Sequence, residues 1–281
     1  MAERPLLKVE DLRIDFPSPG GGRFPAVEGL YLAMGAERLG IVGESGSGKS
    51  VTALALAGLL PPAARLTAAK LEFAGRNLLA MNRRQWTQFR GSEVGLVLQD
   101  PRSGLNPALT VGKQIGQALK FHREISRGEL RERVFAVIEA VGLDNPDQLV
   151  RLYPHQLSGG MGQRVMIASM LINEPKLLIA DEPTSALDEE LRDQILELLV
   201  GLVDKRHMGL ILISHDLAQV AKYCDRAMVM YRGKVVDGGP AANLPNSVHP
   251  YTSTLWRCRP SAATHGKMLP VLDRAALEAI R

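Results

Sequence analysis

The sequence has 281 residues, of which 46% are hydrophobic and 23% charged, so it can bury a core and is neither a disordered tail nor a collagen-like fibre. Its 34 lysines and arginines against 30 aspartates and glutamates leave a net charge of +4, too small to indicate nucleic acid, a membrane surface or a phosphate ligand. Two cysteines, Cys224 and Cys258, exclude a disulfide framework and a four-thiolate metal site.

The apolar runs are too short for a membrane span. The longest, residues 51–60, stops at two prolines and falls short of the roughly 20 residues that cross a bilayer. The first residues contain no apolar run of signal-peptide length. We therefore expect a protein that stays in the cytosol.

The first hundred residues predict strands around one helix. Leu12, Ile14 and Phe16 alternate with polar residues, which indicates a strand with one face toward a core. A loop is predicted over residues 17–25, and a helix over residues 49–60 that two prolines end. Short apolar runs predict further strands, at residues 30–34, 39–42, 70–73 and 94–98.

The rest of the chain predicts a helical region followed by alternating strands and helices. Residues 111–171 are mostly helical in pattern, with an amphipathic segment at 129–141. The alternation after residue 171 indicates βαβ units and a mostly parallel sheet. Residues 228–236, with Arg232 and Gly233 at the centre, predict a hairpin. We therefore predict an α/β fold interrupted by a helical insertion.

A glycine-rich turn gives the first functional signal. The residues GESGSGKS fit the pattern GxxxxGK[ST], between a predicted strand and a predicted helix. Glycines let backbone N–H groups approach phosphate oxygens, and the helix N-terminus adds partial positive charge. Lys49 can reach the β- and γ-phosphates of a nucleotide, and the Ser50 hydroxyl can coordinate Mg²⁺. The predicted phosphate-binding residues are Gly43, Glu44, Ser45, Gly46, Ser47, Gly48, Lys49 and Ser50.

Two carboxylates, Asp181 and Glu182, follow the buried strand predicted at residues 177–180. They stand at the carboxyl edge of the predicted sheet, where α/β proteins bind ligands. We predict that Asp181 holds Mg²⁺ through water, and that Glu182 orients or deprotonates the water that attacks the γ-phosphate. An exposed acid pair that merely begins a loop is the alternative, which the phosphate loop disfavours.

A second anion-binding turn occurs in the segment LSGGMGQR. Ser158, Gly159 and Gly160 place a hydroxyl and free N–H groups at a helix N-terminus. Because one chain rarely needs two such turns for one nucleotide, the simplest interpretation is that this turn serves a nucleotide held mainly by another subunit.

These motifs resemble, in order, those of the ATP-binding subunits of ABC transporters, over about residues 6–255. LSGGMGQR is similar to that family's signature, Gln99 stands at the position of its Q-loop glutamine, Asp188 ends a D-loop-like SALD, and His215 matches its switch histidine. The resemblance implies a P-loop NTPase core with a mostly parallel sheet, an antiparallel β subdomain and a helical subdomain inserted at about residues 102–163. It also implies an ATP-binding domain over residues 1–255 and a C-terminal extension over residues 256–281.

The family resemblance implies roles for the remaining residues. Two ATPase subunits would sandwich two ATP molecules, each held by one phosphate loop and by Ser158, Gly159 and Gly160 of the opposing subunit, with Asp188 also near the nucleotide. Gln99 would sense Mg²⁺ and the attacking water, and His215 would donate a hydrogen bond near the γ-phosphate. Phe16 matches the aromatic that stacks on adenine, although Phe24 is a competing choice and a core phenylalanine is the alternative for both.

Three local segments, QDPRSGLNP, YPHQLSGG and HPYT, resemble the oligopeptide, dipeptide and nickel import branch of this family. That branch implies an ATPase that energises uptake of peptides or of nickel and other metal chelates, peripheral on the cytoplasmic face of the inner membrane. The implied partners are a second ABC ATPase subunit, usually a different chain, two transmembrane permease subunits and, indirectly, an extracytoplasmic substrate-binding protein, with no nucleic acid. A permease helix would enter a groove of the helical subdomain beside Gln99.

The sequence departs from the branch at two places, in its C-terminal cysteines and at Gly162, where the signature of the branch commonly has arginine. Many members of the branch bind an iron–sulfur cluster through C-terminal cysteines; Cys258 stands alone there, so we predict no cluster.

The first of two alternative functions is that of a soluble ABC-type ATPase in a non-transport enzyme complex, such as the one associated with carbon–phosphorus lyase. The second is a nucleic-acid-binding ABC ATPase, whose characteristic insertions this sequence lacks. Co-purification with permeases separates transport from the first alternative.

Overall fold

Two β-sheets form the framework of the protein. The computed structural model describes residues 4–100, 104–185 and 187–259. The strands are β1 (Leu7–Pro17), β2 (Arg23–Met34), β3 (Arg38–Val42), β4 (Arg65–Thr67), β5 (Lys70–Phe73), β6 (Arg76–Asn77), β7 (Val94–Val97), β8 (Leu177–Asp181), β9 (Gly209–Ser214), β10 (Arg226–Tyr231) and β11 (Lys234–Pro240). The smaller sheet is antiparallel, in the order β2-β1-β5-β6 with β4 also on β1. The larger has the order β11-β10-β3-β9-β8-β7 and is parallel except between β10 and β11.

The helices are concentrated between β7 and β9. They are α1 (Lys49–Leu56), α2 (Arg83–Ser92), α3 (Val111–Lys120), α4 (Arg127–Ala140), α5 (Pro146–Leu149), α6 (Gly159–Leu171), α7 (Glu189–Lys205), α8 (Leu217–Tyr223) and α9 (Pro250–Arg257). The α/β architecture predicted from the sequence is confirmed. The domain boundaries stay predictions: α3, α4 and α5 lie inside the proposed insertion, α9 crosses the boundary at residue 255, and residues 260–281 lie outside the described ranges.

None of these helices combines the length and the apolar character that crossing a membrane would require, within the residues that the structure describes. The amphipathic face expected near residues 129–141 is confirmed, because Val134, Val137, Ile138 and Val141 are buried. Leu130, predicted on the same face, is half-buried.

The larger sheet is covered on both faces, as its continuous apolar strands require. In β8, Leu177 and Ile179 pack in one hydrophobic cluster with residues of the antiparallel sheet and α1. Leu178 and Ala180 point to the opposite face and pack in a second cluster with residues of α6 and α7. A strand buried on both sides leaves charged residues only at its ends, and Asp181 stands at the end of β8.

The parallel register brings three strand ends to one edge of the larger sheet. Val42 at the end of β3 pairs with Ser214 at the end of β9, and Asp181 pairs with Ile213. Because β9 lies between β3 and β8, the segments that follow these strands meet at their carboxyl ends.

The hairpin predicted over residues 228–236 is confirmed as β10 and β11, joined by a two-residue turn. Arg232 and Gly233 both have positive φ, at 46° and 81°, which is typical of the type I′ turn that suits the twist of a hairpin.

Two predicted boundaries were wrong. The first helix ends at Leu56 rather than near residue 60, because Gly58 adopts a φ of 63° and closes it before the prolines. The N–H of Gly58 bonds to Ala55 O and that of Leu59 to Leu54 O, the pattern of a Schellman cap. The loop expected over residues 17–25 is shorter, because β2 begins at Arg23 and pairs it with Pro17 of β1.

The close approach of α8 to β3 predicts a stability difference. A Cβ on Gly40 would lie 2.1 Å from Val220 Cγ1, in a site where Val220 is fully buried. Gly40→Ala should therefore lower the free energy of unfolding by about 1–3 kcal/mol through overpacking. Urea denaturation with an unchanged slope measures this change.

Gly201→Ala is the matched control, because Gly201 is exposed within α7 and a Cβ there meets no atom within 4 Å. That substitution should raise stability by about 0.5–1 kcal/mol through helix propensity. Equal stabilities of the two variants would contradict the packing of α8 on β3.

Candidate functional site

A cavity of about 450 Å³ lies where the phosphate-loop motif meets the segments that follow β7 and β8. It is lined by Phe16, Phe24, Ala26, Ser45, Gly46, Gly48, Lys49, Ser50, Val51, Gln99 and Glu182. Residues predicted for one site from separate parts of the sequence therefore share one cavity. Their chemical roles stay predictions.

The phosphate loop has the backbone that its glycines predicted. Gly43 has a φ of 152° and a Cβ there would lie 2.2 Å from Met230 O, so a side chain is excluded on both counts. Gly48 has a φ of 104° and immediately precedes α1, which begins at Lys49. The loop thus delivers its backbone to the N-terminus of a helix, where N–H groups lack partners within the helix.

Lys49 is buried inside this loop, with 5% of its surface exposed. Its Nζ donates hydrogen bonds to Gly43 O at 2.8 Å and to Glu44 O at 2.9 Å. Burial lowers the pKa of Lys49, against the opposing effect of the Glu182 and Asp181 carboxylates. The ammonium is therefore held among carbonyl groups at the point where a phosphate would enter.

Ser50 and Asp181 connect the phosphate loop to the end of β8. The Ser50 hydroxyl donates to Asp181 Oδ1 at 3.1 Å. Burial raises the pKa of Asp181, and the charge of Glu182 adds to this, whereas the hydrogen bond from Ser50 opposes it. A hydroxyl and a carboxylate side by side form a pair of hard oxygen donors of the kind that suits Mg²⁺.

Glu182 and His215 meet beside this pair. His215 Nδ1 lies 3.2 Å from Glu182 Oε2, with the imidazole 64% exposed and the carboxylate 21% exposed. Glu182 has a φ of 47°, and its N–H bonds to Ile213 O at 3.0 Å. A non-glycine residue in this conformation stores strain, which surrounding structure must support. The arrangement can accept a proton on the carboxylate and donate one from the imidazole.

The signature residues and Asp188 do not line this cavity. Ser158 caps α6 by accepting from the N–H of Met161 at 3.3 Å, and Asp188 caps α7 by accepting from the N–H of Leu191 at 2.9 Å. A Cβ on Gly160 would lie 2.6 Å from Leu191 Cδ2, so this glycine permits close packing of α6 on α7. Ser158, Gly160 and Asp188 thus each have a role within the chain, and the contact of these residues and of Gly159 with a nucleotide stays a prediction.

The two candidate adenine-stacking residues are neighbours. Phe16 of β1 pairs directly with Phe24 of β2, and both line the cavity. Phe24 is 62% exposed, whereas Phe16 is half-buried. An aromatic pair beside the phosphate loop suits stacking on a planar base.

Contacts from the C-terminal half hold the outside of the phosphate loop, and the sequence interpretation did not include them. Tyr251 of α9 accepts a hydrogen bond from the N–H of Glu44 at 3.1 Å. The N–H of Gly233, in the hairpin turn, bonds to Ser47 O at 3.0 Å. The HPYT segment was the available signal for Tyr251, but its residue types alone suggest no role.

Comparisons with known proteins agree with these motifs. The family described as ABC transporter matches residues 30–185. The dipeptide transport ATP-binding protein DppD of Haemophilus influenzae is 45% identical over 92% of this chain and 78% of that protein. DppD of Bacillus subtilis is 41% identical over 95% of this chain and 81% of that protein.

Two solved structures share the fold. CbiO1 from Clostridium perfringens, part of the ABC transporter complex cbiONQ, has a TM-score of 0.74 and 29% identity over 87% of this chain and 92% of that one. The ATP-binding cassette MJ0796, a dimer in a post-hydrolysis state bound to ADP and Pi, has a TM-score of 0.73 and 25% identity over 84% of this chain and 98% of that one.

The raised pKa of Asp181 predicts how its charge affects stability. The pKa of Asp181 in the folded protein lies above its value in the unfolded chain. The stability that this group contributes is therefore present at low pH and is lost as the pH rises through the pKa of the folded state. Without nucleotide, Asp181→Asn should therefore be more stable than the parent at neutral pH. The difference should shrink as the pH falls toward the ordinary range of a carboxyl group.

Urea denaturation of both proteins across this pH range measures the effect. Asp188→Asn is the control, since Asp188 is exposed and asparagine caps a helix about as well as aspartate. If Asp181→Asn is instead less stable than the parent at neutral pH, then Ser50 and Lys49 compensate in full the free-energy cost of burying the ionised carboxylate.

Proposed function

Because the chain belongs to the ABC transporter family, as its motifs predicted, and is an ATP-binding subunit of that family, we propose that it hydrolyses ATP to drive the import of peptides. The observation that carries this proposal is the convergence of the phosphate loop, Asp181, Glu182 and His215 at one edge of the sheet. The names of the dipeptide transport relatives support peptides, rather than nickel or another chelate, as the cargo.

The phosphate loop would bind the triphosphate through its backbone N–H groups and Lys49. These groups lie at the N-terminus of α1, whose partial positive charge favours anions. For the nucleotide to bind, Lys49 would exchange its bonds to Gly43 O and Glu44 O for bonds to phosphate oxygens. Both sets of bonds have a charged donor, but phosphate oxygens are charged acceptors as well, and this added attraction between opposite charges favours the exchange.

Ser50, Asp181 and Gln99 are the residues proposed to hold Mg²⁺. No cluster of three or more His, Cys, Asp or Glu side chains suited to a metal occurs within the described ranges. Mg²⁺ typically takes one or two carboxylates together with substrate phosphates and water, so this donor set fits. When bound, the ion would neutralise charge on the phosphates.

Glu182 is the proposed general base. Its carboxylate lines the cavity, and His215 beside it would donate a hydrogen bond to the γ-phosphate while helping to hold Glu182 in place. The left-handed backbone at Glu182 places the carboxylate next to the phosphate loop instead of continuing β8.

A second ATPase subunit would complete the site. The cavity of their own chain is not lined by Ser158, Gly159, Gly160 or Asp188, which supports a contact with the nucleotide of a partner. The MJ0796 cassette is itself a dimer, which supports the same assembly. We propose a different chain as the partner, as is usual for the import branch.

Two permease subunits, fed by an extracytoplasmic binding protein, are the proposed membrane partners, and the subunit would lie on the cytoplasmic face of the membrane. A cavity of about 710 Å³ among α3, α4 and α5 is the candidate groove for a permease helix. Its lining does not include Gln99 but is rich in basic side chains, namely Lys113, Lys120, Arg127, Arg131 and Arg151 against Asp147. The groove therefore suits a helix that carries acidic residues.

Glu182→Gln should lose most ATP hydrolysis while retaining ATP binding. Removing a general base should lower ATP turnover in the assembled transporter by about 10²- to 10⁴-fold. Lys49→Ala should instead weaken ATP affinity by about tenfold or more, because it removes a charged donor to phosphate. Glu189→Gln, an exposed position at the start of α7, should leave both quantities unchanged. Turnover of Glu182→Gln at the parent rate would refute the assignment of the base.

Reversing charge in the groove should uncouple the subunit from the membrane. Lys113→Glu combined with Lys120→Glu should abolish co-purification with the permeases and peptide uptake into vesicles, while ATP affinity stays at the parent value. Lys205→Glu, on the exposed end of α7, is the control and should retain both activities. Normal uptake by the double variant would exclude this groove as the docking site.

A further inference from the structure

We propose that Tyr251 is a positioning residue for the phosphate loop, whose hydroxyl fixes the orientation of the peptide group between Gly43 and Glu44. This inference rests on the proposed function, since it takes the loop to bind ATP. It gives the HPYT segment a physical role that its residue types alone did not suggest.

The contact falls on a peptide group that is held from two sides. Its carbonyl, Gly43 O, accepts from Lys49 Nζ at 2.8 Å, and its N–H, on Glu44, donates to the Tyr251 hydroxyl at 3.1 Å. The peptide is trans, so these two groups point in opposite directions. Lys49 and Tyr251 therefore hold one peptide plane between them.

Glycine gives this peptide plane rotational freedom. Gly43, at a φ of 152°, has access to backbone conformations that other residues lack, so the peptide after it can rotate at little cost. Rotation would change which groups of the loop face the cavity. A hydrogen bond from a rigid partner limits that freedom before the nucleotide arrives, which lowers the entropic cost of binding.

The hydroxyl gains importance when ATP binds. Lys49 would then turn from Gly43 O to the phosphates. This peptide group would thereby lose one of its two hydrogen bonds to side chains. Tyr251 approaches from the side of the N–H, so its hydrogen bond can persist through the exchange. The loop would keep its form while its lysine changes partners.

Tyr251 is well suited to this task because it cannot readily move. It is fully buried at the start of α9, and its ring centroid lies 4.6 Å from that of Tyr231. Thr252 and Ser247, one on each side of it in the chain, both donate to Asp237 Oδ2 at 2.6 Å.

The carboxylate of Asp237 strengthens this anchor. Burial raises its pKa, but the hydrogen bonds from Ser247 and Thr252 outweigh that effect and leave the pKa below its usual value. The group therefore stays ionised at neutral pH, and hydrogen bonds to an ionised acceptor are the stronger kind. The start of α9 is thereby fastened to β11.

Tyr231 offers a matched control within the same contact. Its ring packs against that of Tyr251, but its buried hydroxyl has no hydrogen-bond partner among the described residues. Tyr251→Phe and Tyr231→Phe thus each remove one oxygen from the same pair of rings. The first substitution breaks a contact with the phosphate loop, whereas the second does not.

Measurement of Mg-ATP affinity by calorimetry on the full chain, and of KM and kcat in the assembled transporter, tests the proposal. Tyr251→Phe should weaken ATP affinity and raise KM by about 2- to 10-fold, with kcat at saturating ATP within about twofold of the parent. Tyr231→Phe should leave KM, kcat and affinity unchanged. A purely structural role for Tyr251 would alter thermal stability without this split between KM and kcat.

Two results would overturn the proposal. Equal ATP affinity of Tyr251→Phe and the parent would show that the hydroxyl does not position the loop. An equal loss in both tyrosine variants would assign the effect to ring packing. Lys49→Ala distinguishes failure of the proposed function, because unchanged ATP affinity in that variant would refute the nucleotide site itself and this inference with it.

Discussion

The parallel alignment of β3, β9 and β8 is the constraint on which the site depends. Hydrogen bonding between these strands aligns Val42 with Ser214 and Ile213 with Asp181. The segments that follow the three strands therefore all leave the sheet at one edge. The phosphate loop, His215 and Glu182 follow directly from those ends. A shift of one strand by a single residue would move each of its side chains to the opposite face of the sheet and would also displace its functional end. The core that packs on both faces of the sheet therefore also specifies the site.

The site contains several features that oppose folding. Lys49 is buried with its pKa lowered, Asp181 is buried with its pKa raised, and Glu182 has a left-handed backbone. Such costs are characteristic of functional sites, where surrounding structure compensates them. Here the compensation comes from the Gly43 and Glu44 carbonyls around the ammonium, the Ser50 hydroxyl on Asp181 and the backbone bond from Glu182 to Ile213. A triphosphate would add charge complementary to Lys49, so ligand binding should relieve part of the cost.

Local patterns predicted most of the fold, and the exceptions have local causes. The hairpin at Arg232 and Gly233 followed from its turn chemistry, and the buried strand before Asp181 from its apolar run. The predicted end of α1 was wrong because it was taken from the two prolines at residues 61 and 62, which cannot continue a helix. The glycine at 58 closes the helix before them. The length of the loop after β1 was overestimated, because its prolines and glycines predict a loop but do not show that Arg23 already pairs with Pro17.

The sequence by itself determined the family, the phosphate loop and the carboxylate pair, because each depends on residues that are contiguous in the chain and on a strand or helix next to them. Only the tertiary structure decided that Ser50 bonds to Asp181, that Glu182 faces His215 and that Tyr251 reaches Glu44. Glu44 and Tyr251 are separated by 207 positions. No periodicity in either segment encodes such a contact, since it arises when β10 and β11 bring the start of α9 against the phosphate loop.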